Sequence, residues 1–162
     1  MRAYQVFAGM DPKHSESVLA ALAEKAPGVT AQAVAVAAAT MNARPQYLRK
    51  QPFAKRAAAM RRALARVKAN DMAEEMLAVY FLECRKELLE EWLGLIGLEH
   101  EDGILEDDEP EAPAAEDLKA AVDKFRGGSD DADRLLLLQA FGAQTSIDWP
   151  DLDALTPPKA ES

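Results

Sequence analysis

No acidic residue lies between Glu24 and Asp71 of this 162-residue chain. The intervening segment carries Lys25, Arg44, Arg49, Lys50, Lys55, Arg56, Arg61, Arg62, Arg66 and Lys68, ten positive charges with no negative charge among them. Residues 71–162 reverse the balance, with seven Lys or Arg against twenty-five Asp or Glu, and the whole chain carries a formal net charge of −9. A stretch of one sign must lie against the acidic half of the same chain or on a surface that another molecule meets. This constrains how the elements are arranged and which partners suit them; it specifies no reaction.

The length suits one domain, residues 1–162, with room for a substantial core. Apolar residues make up 49% of the chain, enough to fold most of it, and much of that share is alanine. Alanine favours helix and close approach between helices but adds little buried area per residue. Cys84 is the only cysteine, so no internal disulfide forms and a reducing compartment fits. The longest apolar run, residues 33–39, falls far short of the roughly 20 residues that span a bilayer. Gln5 and the Asp11-Pro12-Lys13 turn spoil any secretory signal near the start. The expected location is the cytoplasm.

Asp11-Pro12 reads as an N-cap followed by proline at the first helical position. The first helix presents Val18, Leu19 and Leu22 and stops at Ala26-Pro27-Gly28. Thr30 caps a second, running to about Met41, which is nearly all Ala and Val; lacking a polar face, it is expected at the centre of the fold. A strand over Val34–Val36 competes, but alanine disfavours it. Residues 45–51 make one helical turn with Tyr47 and Leu48 inward. Pro52 opens a third helix to about Ala69, with Phe53, Ala57, Met60, Leu64 and Val67 as its apolar seam.

Residues 72–96 predict the longest helix, striped by Leu77, Phe81, Cys84, Leu88, Trp92 and Leu95. A stripe this broad, widened by Met76, Tyr80, Leu89 and Leu93, is expected to organise the bundle. Residues 99–116 combine acidic runs with Gly and Pro, and read as an exposed, mobile acidic linker. A fifth helix over residues 117–125 buries Leu118, Val122 and Phe125 and ends at Gly127-Gly128. A sixth, capped by Ser129 or Asp130, contains Leu135 to Leu138 and Phe141. Ile147, Trp149, Leu152 and Leu155 suggest a last turn before a frayed tail at 157–162. The expected fold class is therefore all-α: an irregular bundle of about six helices.

Catalytic motifs are missing wherever they are sought. Ser15, Ser17, Ser129 and Ser146 have no nucleophile signature around them, and no glycine-rich phosphate loop occurs. Setting Gly103 as the glycine of a calcium-binding helix–loop–helix places Leu98 at the first ligand position, where an acid is required. His100 and His14 have Gly97 and Asp11 three residues before them, which does not make the Glu-x-x-His pairs of a di-metal bundle. One Cys and two His cannot complete a structural zinc site. Cys84 reads as a buried structural cysteine on an apolar stripe. No catalytic, cofactor or metal residue is assigned, and no enzyme activity is expected.

The candidate partner-binding residues are Arg49, Lys50, Lys55, Arg56, Arg61, Arg62 and Arg66 on the cationic stretch, and Trp149, Leu152 and Leu155 near the end. The bland account of the cations is pairing with Glu74, Glu75, Glu83, Glu87, Glu90 and Glu91 across a helical hairpin that turns at Asn70-Asp71. The bland account of Trp149, Leu152 and Leu155 is closure of their own bundle rather than anchoring in another protein's groove. The expected function is a noncatalytic protein–protein interaction module, an adaptor, regulator or chaperone-like protein, with another protein as partner. The alternative is nucleic-acid binding through residues 44–68, inhibited by the chain's own acidic half. Oligomeric state is not specified by any pattern in the chain.

Overall fold

The computed structural model describes residues 1–159 and is all-α. Helices account for 68% of the chain, and the strands among the described residues are two residues long each. In chain order the helices are α1 (Ala3–Gly9), α2 (Pro12–Lys25), α3 (Pro27–Thr40), α4 (Pro45–Arg49), α5 (Phe53–Leu64), α6 (Asn70–Glu83), α7 (Lys86–Leu95), α8 (Ala115–Arg126), α9 (Ala132–Gly142) and α10 (Pro150–Leu155). A single 3-10 turn, Val67–Ala69, joins α5 to α6, and a hairpin of β1 (His100–Glu101) and β2 (Ile104–Leu105) follows α7. No helix among the described residues is long and apolar enough to cross a membrane.

Proline starts α2, α3, α4 and α10, where its missing N–H costs no helical hydrogen bond. Asp11 caps α2 by accepting from the backbone N–H groups of Lys13 and His14. Gly127 ends α8 in the left-handed conformation (φ 47°), which glycine adopts without a Cβ penalty. α6 is the hub: it packs on α1, α2, α7 and α9, while α5 packs chiefly on α3, α2 and α1. α7, α8, α9 and α10 close the other end of the molecule. Their shared core runs through edge-on aromatic pairs: Trp92 with Phe125 (ring centroids 5.6 Å apart), Trp92 with Phe141 (6.0 Å) and Phe141 with Trp149 (5.2 Å).

Several expectations are corrected. The long helix over 72–96 is two helices, broken at Cys84 and Arg85; Arg85 leaves the helical region (φ −136°, ψ 45°). The bundle thus has ten helices among the described residues rather than six, and α6 alone takes the organising role. α3 is not central: Ala33, Val34, Ala37 and Ala38 are buried, whereas Ala31, Ala35 and Ala39 face outward. Alanine is small enough to lie on either side, so a lack of polar residues did not imply burial on both. Val67 falls past the end of α5 and is exposed. Residues 3–9 form a core helix that no sequence pattern predicts.

The acidic connection is anchored at two places. Asp102 (φ 53°) and Gly103 (φ 88°) form the tight turn that two-residue hairpins favour. Further on, the buried carbonyl of Pro110 accepts a hydrogen bond from the Trp149 indole at 3.0 Å. The tail is docked as far as it is described: Gln139 Nε2 donates to the Pro157 carbonyl, and the Lys159 backbone lies against Gly9, where a Cβ would meet its oxygen at 2.6 Å. Residues 160–162, the rest of the segment expected to fray, lie outside the described residues.

Leu88 sits in the core on α7, 4% exposed. Leu88→Ala should cost about 2–5 kcal/mol, read from urea denaturation at neutral pH; a loss under ~1 kcal/mol would place the core elsewhere.

Candidate functional site

The apolar stripe of α5, with Ala57, Met60 and Leu64 buried, faces the N-terminal helices. Helical spacing then drives its cations to the outer side. Arg49, Lys50, Lys55, Arg62 and Arg66 are exposed, and Arg56 and Arg61 are half-buried. Arg56 lies over the Phe53 ring and donates to the Arg49 carbonyl at 3.0 Å; Arg61 donates to the Met10 carbonyl at 3.3 Å. Among the described residues, no cation between Lys25 and Lys68 reaches a carboxylate within 4.0 Å.

The expected pairing of this stretch with the acidic helices is therefore overturned. The reason is geometric. The 3-10 turn after α5 does not fold α6 back along the cationic face, and α6 packs instead among α1, α2, α7 and α9. The acidic side chains find other partners. Glu74 accepts from the backbone N–H and hydroxyl of Thr145, Glu87 pairs with Arg85, Glu90 with Lys86, and Glu91 with Arg134. Tyr47, expected inward, is 55% exposed beside the cations, whereas Leu48 is buried.

Of the terminal candidates, Trp149 and Leu152 are buried in the chain's own core and Leu155 is half-buried. Trp149 and Leu152 thus pack in the chain's own core.

A second constellation lies inside the molecule and was missed. The carboxylate of Asp133, a buried residue in the first turn of α9, accepts from three side chains. His14 Nε2 is 2.6 Å from Oδ1; Tyr80 Oη (2.6 Å) and Arg85 Nη1 (2.5 Å) both donate to Oδ2. An ionised carboxylate only accepts, so His14 Nε2 carries the proton. Arg85 also donates to Asp131 at 2.9 Å and Glu87 at 2.8 Å, and Asp131 caps α9 by accepting from the Asp133 backbone.

Burial raises the Asp133 pKa, but the donors His14, Tyr80 and Arg85 outweigh it and hold the carboxyl below its ordinary value. Burial, then the bond to Asp133, pushes the Tyr80 phenol up. The hydrogen bond from Arg85 holds Asp131 low. With three donors on it, Asp133 is a tie between helices and not a free base. In the sequence His14 sits in no motif, and Asp133 carries no signal beyond being an acid at the head of a leucine-rich helix.

Cys84 is half-buried, and burial raises its thiol pKa, which works against the thiolate that nucleophilic chemistry needs. Ser15 is buried with its hydroxyl on the Pro12 carbonyl. Among the described residues no group of three or more His, Cys, Asp or Glu side chains is arranged to hold a metal ion. Compared with protein-family models, curated proteins and solved structures, the chain matches none.

Asp133→Ala would leave Tyr80 and Arg85 without their buried partner and should destabilise the fold by about 3–5 kcal/mol at pH 7. Because the folded-state pKa of Asp133 lies below its unfolded value, its contribution is complete above about pH 4 and disappears as pH falls through the folded-state value. Urea titrations of both proteins from pH 7 downward should therefore show the gap narrowing only on the acid side.

Proposed function

We propose that this chain is a noncatalytic binding protein whose cationic face, built by α4, α5 and the turn after them, docks an acidic surface of another protein. One observation carries the reading: the cations of α4, α5 and the turn after them are mostly exposed, lie in a segment with no acidic residue, and have no carboxylate within 4.0 Å among the described residues. A cationic face of this size raises association rates with an acidic partner and disfavours like-charged ones.

The composition of the face suits a protein partner. Met41 is 45% exposed and Tyr47 55% exposed, flanking Arg44 and preceding Arg49 and Lys50. Methionine, tyrosine and arginine are the residues enriched at protein interfaces, where the apolar groups exclude water around charged contacts. A single exposed aromatic gives little stacking surface for an unpaired strand. The net charge of −9 also opposes long-range attraction to nucleic acid.

Lys55 and Arg62 are exposed two turns apart on α5 and out of the core, so Lys55→Glu with Arg62→Glu reverses charge without disturbing packing. At physiological salt, immobilised wild-type chain should retain acidic proteins from native lysate, and the double variant should retain about tenfold less of them. A short DNA duplex should stay unbound by both. Duplex binding by the wild type that the variant loses would transfer the face to nucleic acid, and equal protein capture by both would remove the assignment.

A further inference from the structure

A cleft of about 450 Å³ opens between α6, α7, α9 and the β-hairpin, away from the cationic residues. Leu77 and Phe81 of α6, Leu89 and Leu93 of α7, and Leu137 and Phe141 of α9 form its walls. The hairpin closes one side and is held there. Gly103 approaches Leu89 so closely that a Cβ would lie 2.9 Å from its Cδ2, Lys86 Nζ pairs with Asp102 at 3.0 Å, and His100 Nδ1 accepts from the Gly103 N–H. The cleft is therefore preformed, and its volume lies within the roughly 300–1,000 Å³ of small-molecule sites.

The polar groups on its rim restrict what can enter. Asp107 and Asp108 are exposed at the mouth, and neither forms an ion pair among the described residues. Asp107 accepts one bond, from the backbone N–H of Glu109. Among the described residues no Lys or Arg lines the cleft, and Gln144 and Ser146 are its only uncharged polar side chains. A fatty acid or a phosphate ester would bring its negative charge to two carboxylates with no cation to offset the repulsion. A sugar or nucleotide would find too few donors and acceptors for its polar groups. The walls favour an apolar body and the mouth favours a positive charge.

We propose that this cleft binds a small cationic amphiphile, with an alkyl or aryl body between α6 and α9 and a protonated amine at Asp107 and Asp108. The proposal does not depend on the cationic face or its partner.

Calorimetric titration of the full chain at pH 7 with decylamine, decanoate and propylamine tests it. Decylamine should bind at least about tenfold more tightly than either of the others, since decanoate has the body without the charge and propylamine the charge without the body. Asp107→Asn with Asp108→Asn, on exposed residues, should bring decylamine and decanoate to within about twofold of each other. Ala78→Phe, at a half-buried lining position, should weaken decylamine about tenfold by filling the cleft, with the thermal melt reporting that the fold persists. Absence of decylamine binding, equal binding of decanoate or propylamine, or an amine preference that survives the Asn variant would each overturn the proposal. So would a dimer in light scattering that Ala78→Phe dissolves, which would assign the cleft to a second copy of the chain.

Discussion

The Asp133 carboxylate ties together segments more than a hundred residues apart. It accepts from His14 on α2, Tyr80 on α6 and Arg85 between α6 and α7, while heading α9 itself. A buried carboxylate without donors would be too costly to keep ionised. The arrangement of these four helices is therefore jointly specified. Arg85 lies at the break between α6 and α7, where one stretch of helix-favouring sequence becomes two helices. That break lets Trp92 of α7 meet Phe125 and Phe141 rather than continue along the axis of α6.

The same tie shapes the electrostatics. Arg85, Lys86 and Arg134 are all engaged by carboxylates of the C-terminal half. Seven cations stand against twenty-five acidic residues after residue 70, so that half stays negative whatever its pairing. Among the described residues no acidic side chain reaches the cations of α5, because α6 packs among α1, α2, α7 and α9 rather than along them. Charge segregation along the chain thus persists as charge segregation on the surface. The cationic face on α4 and α5 and the acid-rimmed cleft beside α7 are two results of one packing arrangement.

Much of the architecture was legible from the residues. Helix starts at Asp11-Pro12, the stop at Gly127-Gly128, the burial of Leu118, Val122 and Phe125, and the all-α class follow from local rules of capping and periodicity. What was missed has specific causes. Asp102-Gly103 is a strong hairpin signal, but the acidic residues around it suggested a solvated linker. α1 is seven mixed residues, about two turns, too short for periodicity to register. α3 lacks any contrast between faces, so its buried side could not be chosen.

The sequence by itself determined that the chain is helical, that its charge is divided, and that it carries none of the common catalytic signatures. These depend on residue type and spacing within a few turns, where the physics is local. Only the tertiary structure decided where the long helix breaks, that among the described residues the cations of α4 and α5 meet no carboxylate, that Trp149 and Leu152 close the core, and that a cleft with acidic lips lies behind the hairpin. Each of these turns on which of several chemically equivalent partners a side chain meets, and that choice is made by packing across the whole molecule rather than by its neighbours in the chain.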